Sequence, residues 1–161
     1  MPTYYAHSTT NPDKKDWQVL FDHLSATAKM AELFASTFNA GKWGRLVGLL
    51  HDAGKATAKF QDRLEGKEIR VDHSSFGAKA AQERGGNLGW LLAYVVAGHH
   101  GGLPDGGPQQ GQLHHRLKYA QYDTKIELPP DLPEDLIFPF LPGSAKQLDS
   151  QWAMFSFSFF T

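Results

Sequence analysis

Residues 49–55 read LLHDAGK, and the His51–Asp52 doublet at the end of an apolar run decides how the rest of the chain is read. Two such groups buried without partners would cost several kcal/mol, roughly the desolvation penalty of unpaired polar and charged groups. Something must compensate them. Upstream of the doublet, Trp43, Leu46, Val47 and Leu50 share one face and Leu49 widens it, which predicts a helix over 42–53 with Gly54 as its terminator or kink. A longer helix is predicted before it, over 15–39, from the spacing of Trp17, Leu20, Phe21, Leu24, Ala28 and Ala31, with Asp13 or Asp16 as cap. Downstream, a third helix begins near DHSSFGAKAAQE (72–83), where Asp72 or Ser74 can cap free amides. The apolar run LGWLLAYVVAG (88–98) is a fourth, buried helix, followed by the glycine-rich loop GHHGGLPDGG. HHRLKYAQY (114–122) suggests a further short helix, and 127–143 holds too many prolines for regular structure. The final stretch, 147–161, reads as the first half of a buried helix. Strand signals are poor. The expected fold is all-α, or at least mainly α, a helical bundle forming one domain over 1–161.

Composition narrows the function. The chain has no cysteine, so a disulfide framework and a thiolate zinc site are both excluded. Sixteen Lys and Arg stand against 17 Asp and Glu, which is not the electrostatic footprint of a protein that grips duplex DNA by its phosphates. Any nucleic-acid contact is therefore local or supplied by a partner. The run at 88–98 is too short to span a bilayer, and the N-terminal residues lack the basic-then-apolar order of a secretory signal. A cytoplasmic protein without membrane contact is the expectation.

The histidines carry the chemistry. His23 flanks the first predicted helix, His51 and Asp52 close the second, His73 opens the third, and His99 and His100 close the fourth. Helix packing would draw them together. Adjacent helical positions differ by about 100° in direction, so His51 and Asp52 can both reach a point near the helix end. A carboxylate can bridge two cations through its two oxygens, whereas an imidazole binds one through one nitrogen. Histidines with one or two carboxylates suit Mn, Fe, Co, Ni or Zn better than Mg or Ca. Two such ions about 3.5–4 Å apart can clamp a phosphodiester and activate a water. His7 is read as a neighbour of this cluster rather than a ligand, and His114 and His115 as solvated. Lys55, three residues after Asp52, is read either as a surface lysine or as a partner of that carboxylate or of a substrate phosphate.

In this order, His23, His51-Asp52, His73 and His99-His100 resemble the HD superfamily of metal-dependent phosphohydrolases. The fuller strings YYAHS, LFDHL, GLLHDAGKATAKFQ, DHSSFGA and GHHGGLPD are similar to one branch, the HD nuclease domain of the CRISPR type I effector nuclease-helicase. The resemblance covers residues 4 to about 106 densely. It implies that His23, His51 and Asp52 hold one metal and that Asp52, His73, His99 and His100 hold another, with Asp52 bridging. It further implies cleavage of single-stranded DNA, a helicase, fused or separate, that feeds the strand, and a CRISPR surveillance complex as partner. In that family a further aspartate on a later helix completes the first metal site. The chain is expected to be a fragment ending before it, since Asp149 precedes the final apolar stretch and is a poor substitute. At most one well-occupied metal and weak or absent cleavage follow from that expectation.

Three functions compete at this stage. As a nuclease, the chain would use Asp52 and Lys55 in catalysis, while Ser74 and Ser75 steady the phosphate. The same centre could instead serve a nucleotide phosphohydrolase, although the 98–112 loop is glycine-rich and has no obvious base clamp. A third class is a metal-binding fragment without turnover, but structural zinc sites are usually closed by four protein ligands, often cysteines.

Overall fold

A computed structural model of the chain describes residues 3–85, 89–120 and 132–133. The predicted helix over 147–161, Asp149, the end of the 114–122 segment and the proline-rich 127–143 stretch apart from Leu132 and Pro133 lie outside the described residues. Among the described residues are six helices and one two-stranded sheet, a mainly α architecture. The sheet pairs β1 (Tyr5–His7) with β2 (Gln18–Val19) in antiparallel sense. The helices are α1 (Leu20–Ser36), α2 (Gly41–Leu50), α3 (Ala58–Leu64), α4 (Ser74–Arg84), α5 (Gly89–Gly98) and α6 (Leu113–Tyr119).

Helices α1 and α2 pack through small residues. A Cβ on Gly48 of α2 would run into the backbone of Ala28 on α1, so this glycine lets the two axes approach. Trp43, Leu46, Leu49 and Leu50 then fill one core together with Phe76 and Ala81 of α4, Leu92 and Val96 of α5, and Leu113 and Leu117 of α6. Each fully buried Leu or Val there is worth roughly 1.5–3 kcal/mol of transfer free energy. A second, smaller cluster joins Ala6 of β1 to Leu20 and Leu24 of α1 and to Ala56. Between the two clusters the end of α2 meets the start of α4. Gly54 lies so close under the carbonyl of His73 that a side chain there would collide with it.

Several boundaries differ from the sequence-based expectations, each for a physical reason. Helix α1 begins at Leu20 rather than near residue 15, because the chain first runs as β2 and the Leu20 amide bonds to Tyr4 O at 2.9 Å. Neither Asp13 nor Asp16 caps it; Asp16 instead accepts from the Thr9 hydroxyl at 2.8 Å. Helix α2 stops at Leu50, and Gly54 sits within a 3-10 turn over Ala53–Ala56, where its role is close approach rather than helix termination. Helix α3 was not expected at all. Thr57 caps it by accepting from the Phe60 amide at 3.3 Å. Asp72 does cap α4, accepting from the Ser75 amide at 3.1 Å.

Candidate metal centre

Two histidines are aimed by the same local device. A helix leaves its last carbonyls without intrahelical partners, and the residue just past the end can bond one of them. His51 follows α2 and places Nδ1 2.8 Å from Gly48 O; His99 follows α5 and places Nδ1 2.7 Å from Val96 O. A carbonyl can only accept, so both Nδ1 atoms carry the proton. In the neutral ring each Nε2 is then a bare lone pair.

Both lone pairs face the same carboxylate. Asp52 Oδ2 lies 3.3 Å from His51 Nε2 and 3.0 Å from His23 Nε2. Asp52 Oδ1 lies 3.2 Å from His99 Nε2, 3.1 Å from His73 Nε2 and 4.0 Å from His100 Nε2. The structure thus gathers His23, His51, Asp52, His73, His99 and His100, and divides the five imidazoles between the two carboxylate oxygens. Across the cluster, His23 and His51 approach Nε2 to Nε2 at 3.1 Å, and His73 and His100 at 3.0 Å. Lone pairs directed at an anionic oxygen repel unless a proton or a metal cation stands between them. The donor set of neutral imidazoles around a carboxylate fits a divalent transition metal.

Asp52 and Lys55 are each only 3% exposed. Burial by itself would raise the Asp52 carboxyl; in the metal-free protein, protons on the Nε2 atoms of His23, His51, His73 and His99, which for His51 and His99 require the doubly protonated ring, outweigh it and hold the group below the usual carboxylate range. Lys55 is not a surface lysine. Its ammonium lies 2.8 Å from Asp52 Oδ2 and donates to Ala6 O at 3.2 Å, so it pairs with the carboxylate and ties it to β1. At the rim, burial and then the fields of His99 and His73 push His100 below the ordinary histidine value. Its side chain is 60% exposed and opens the centre to solvent.

Ser74 and Ser75 are buried, and their hydroxyls are engaged. Ser75 Oγ donates to Asp72 Oδ2 at 2.6 Å, and Arg116 of α6 donates to Ser74 Oγ at 2.7 Å and to Ser75 Oγ at 2.9 Å. Those contacts engage both hydroxyls with Asp72 and Arg116 at the start of α4, directly after His73. Arg116 also donates to Ala97 O at 3.1 Å, so one guanidinium braces the start of α4 and the end of α5. Sequence reasoning passed over Arg116, whose only local signal is its place beside His114 and His115. His114 packs its ring against Trp90 and His115 against Tyr119, away from the carboxylate partners described above.

His7, expected as a neighbour of the cluster, lies beside His23. On β1 its ring meets that of His23 at 5.1 Å between centroids and 80° between planes. Donor atoms of His7, His23 and Asp52 lie within 4.8 Å of one another, as do those of Asp52, His73, His99 and His100.

Among the described residues no helix is long and apolar enough to cross a membrane. No curated relative matches the chain. The family model described as HD domain matches residues 20–127, the stretch that carries every histidine of the cluster except His7. The spatial union of His23, His51-Asp52, His73 and His99-His100 within that stretch is the donor arrangement of a divalent-metal hydrolase, and the chain belongs to the HD domain family of metal-dependent phosphohydrolases.

Proposed function

We propose that this domain is a nuclease that hydrolyses phosphodiester bonds of single-stranded DNA, with one divalent ion on each side of Asp52. Mn, Fe, Co or Ni suits the imidazole donors, with Mg as a further candidate. The observation that carries the reading is the division of the histidines between Oδ1 and Oδ2, which would let Asp52 serve two sites rather than one. Two ions held there would polarise the phosphoryl oxygens and bring the pKa of a bound water near neutrality. The chain's own residues do the rest. His51 and His99 keep their Nε2 atoms unprotonated by holding the proton on Nδ1, and Lys55 fixes the rotation of the Asp52 carboxylate.

The substrate reading is supported by the exposed rim at His100 and by the open glycine-rich loop after it, where Gly101, Gly102 and Leu103 are all exposed. An extended strand suits such a rim better than a nucleotide that must be enclosed. The near-neutral charge and the motif strings quoted above support a separate source of DNA affinity, a fused or partner helicase acting with a CRISPR surveillance complex. The test is incubation with labelled single-stranded DNA, duplex DNA and a nucleotide panel in Mn, Co, Ni or Mg. Scission of the single strand without phosphate release from nucleotides is expected. Phosphate release from nucleotides with intact strands would overturn the nuclease reading.

A further inference from the structure

We infer that His7 is a metal ligand on the Oδ2 side of Asp52, joining His23 and His51. Its place is fixed by a built support, not by an accident of a mobile end. Gln61 of α3 clamps the strand from both directions: its Oε1 accepts from the Tyr5 amide at 3.0 Å and its Nε2 donates to Tyr5 O at 3.0 Å. The same Nε2 donates to Lys55 O at 2.7 Å. Lys55 in turn reaches Ala6 O, the carbonyl directly before His7, while bonded to Asp52 Oδ2. Tyr4 O takes the Leu20 amide at the start of the helix that carries His23. Every residue from Tyr4 to Ala6 is therefore tied to the elements that hold the carboxylate, and the next side chain is an imidazole within 4.8 Å, donor to donor, of His23 and Asp52.

The chemistry follows from the count of donors. With His23, His51 and Asp52 alone, the Oδ2 side offers three protein donors; with His7, whose donor atom groups with those of His23 and Asp52, it would offer four, three of them imidazoles. Such a set selects borderline transition ions over Mg, and it equips the Oδ2 side without any donor from outside the described residues. Two bound ions per chain are then expected, in place of the single well-occupied ion that the sequence suggested.

The inference rests on the metal-centre reading, and the experiment separates the two. Wild type, His7→Ala, His99→Ala and Asp52→Ala are titrated with Co2+ and with Mn2+ by calorimetry. Bound ions are counted by elemental analysis, the visible Co2+ spectrum is recorded, and circular dichroism checks the fold. His7→Ala should keep one ion at wild-type affinity and lose at least about tenfold in the other, the lower end of what even an outer partner of a ligand contributes. His99→Ala should weaken the opposite ion, and Asp52→Ala both. Wild-type affinity and Co2+ spectrum in His7→Ala, with metal lost in Asp52→Ala, overturn the role of His7 alone. Equal weakening of both ions by His7→Ala also overturns it. Unchanged metal content in Asp52→Ala overturns the metal centre itself.

Discussion

The two sides of Asp52 are built from similar donors and held by opposite means. On the Oδ2 side a lysine ammonium sits directly on the carboxylate oxygen, 2.8 Å away, alongside His23 and His51. On the Oδ1 side the cation stands back: Arg116 touches Ser74, Ser75 and the Ala97 carbonyl, and leaves the oxygen to His73, His99 and His100. The contrast teaches that a positive side chain near a metal centre has two distinct uses. Lys55 neutralises Asp52 and would compete with an ion for Oδ2, whereas Arg116 braces the start of α4 and the end of α5 without taking a coordination position. On the proposed two-ion reading, the Oδ2 side is expected to be the weaker and more exchangeable of the two.

Removing Asp52 should collapse the contrast. Asp52→Ala takes the shared ligand from both sides and strands the buried Lys55 ammonium, so both ions should be lost and the apo fold weakened by roughly 3–5 kcal/mol, the usual penalty for breaking a buried pair from one end. Denaturant melting and elemental analysis read the two effects separately. Retention of either ion would show that the sides do not share the carboxylate.

Arg116→Ala should sharpen the contrast by touching one side only. With the brace between α4 and α5 gone, affinity for the Oδ1-side ion should fall about 10- to 100-fold, the range for loss of a residue that orients ligands. The Oδ2-side ion should bind as before in the same calorimetric titration. An equal fall on both sides would mean that Arg116 supports the whole fold and not that site.

Lys55→Met tests the competition and should give the smallest effect. The stem volume is kept while the ammonium leaves Oδ2, so the apo protein carries a less compensated carboxylate and a bound ion has no rival. The rise in melting temperature on adding Mn2+ should be larger than in wild type, because a ligand stabilises the native state by an amount that grows with the logarithm of its affinity for it. A smaller rise would show that Lys55 helps the ion more, through its hold on β1, than it hinders it.

What could be read in advance divides along the same physical line. The cores of α1, α2, α4 and α5 were legible because helix periodicity is local, and Leu46, Leu50, Leu92 and Val96 announce their buried faces within one or two turns. The His51-Asp52 and His99-His100 doublets were legible because each follows directly on such a helix. The β1–β2 pair and the strand contacts that seat His7 were not. They depend on Gln61 meeting Tyr5 across 56 residues of chain, and on the Lys55 ammonium finding the Ala6 carbonyl, contacts with no periodic trace in sequence. Arg116 was hidden for the same reason, since its partners lie on α4 and at the end of α5. The expected starting point of α1 failed because a two-residue strand took over the beginning of a sequence with helical spacing.

The Gln61 amide has a consequence for how the protein would age. Its oxygen accepts from one main-chain N–H while its nitrogen donates to two main-chain oxygens, a pattern that only an uncharged carboxamide satisfies. Hydrolytic deamidation, a reaction to which Gln is chemically liable, would replace that nitrogen with a carboxylate oxygen and set it against the Tyr5 and Lys55 carbonyls. Two attractions would become repulsions in the strap that fixes His7. A single spontaneous lesion on α3, at a residue that touches no ligand position, would thus be transmitted to the centre as a loosened strand.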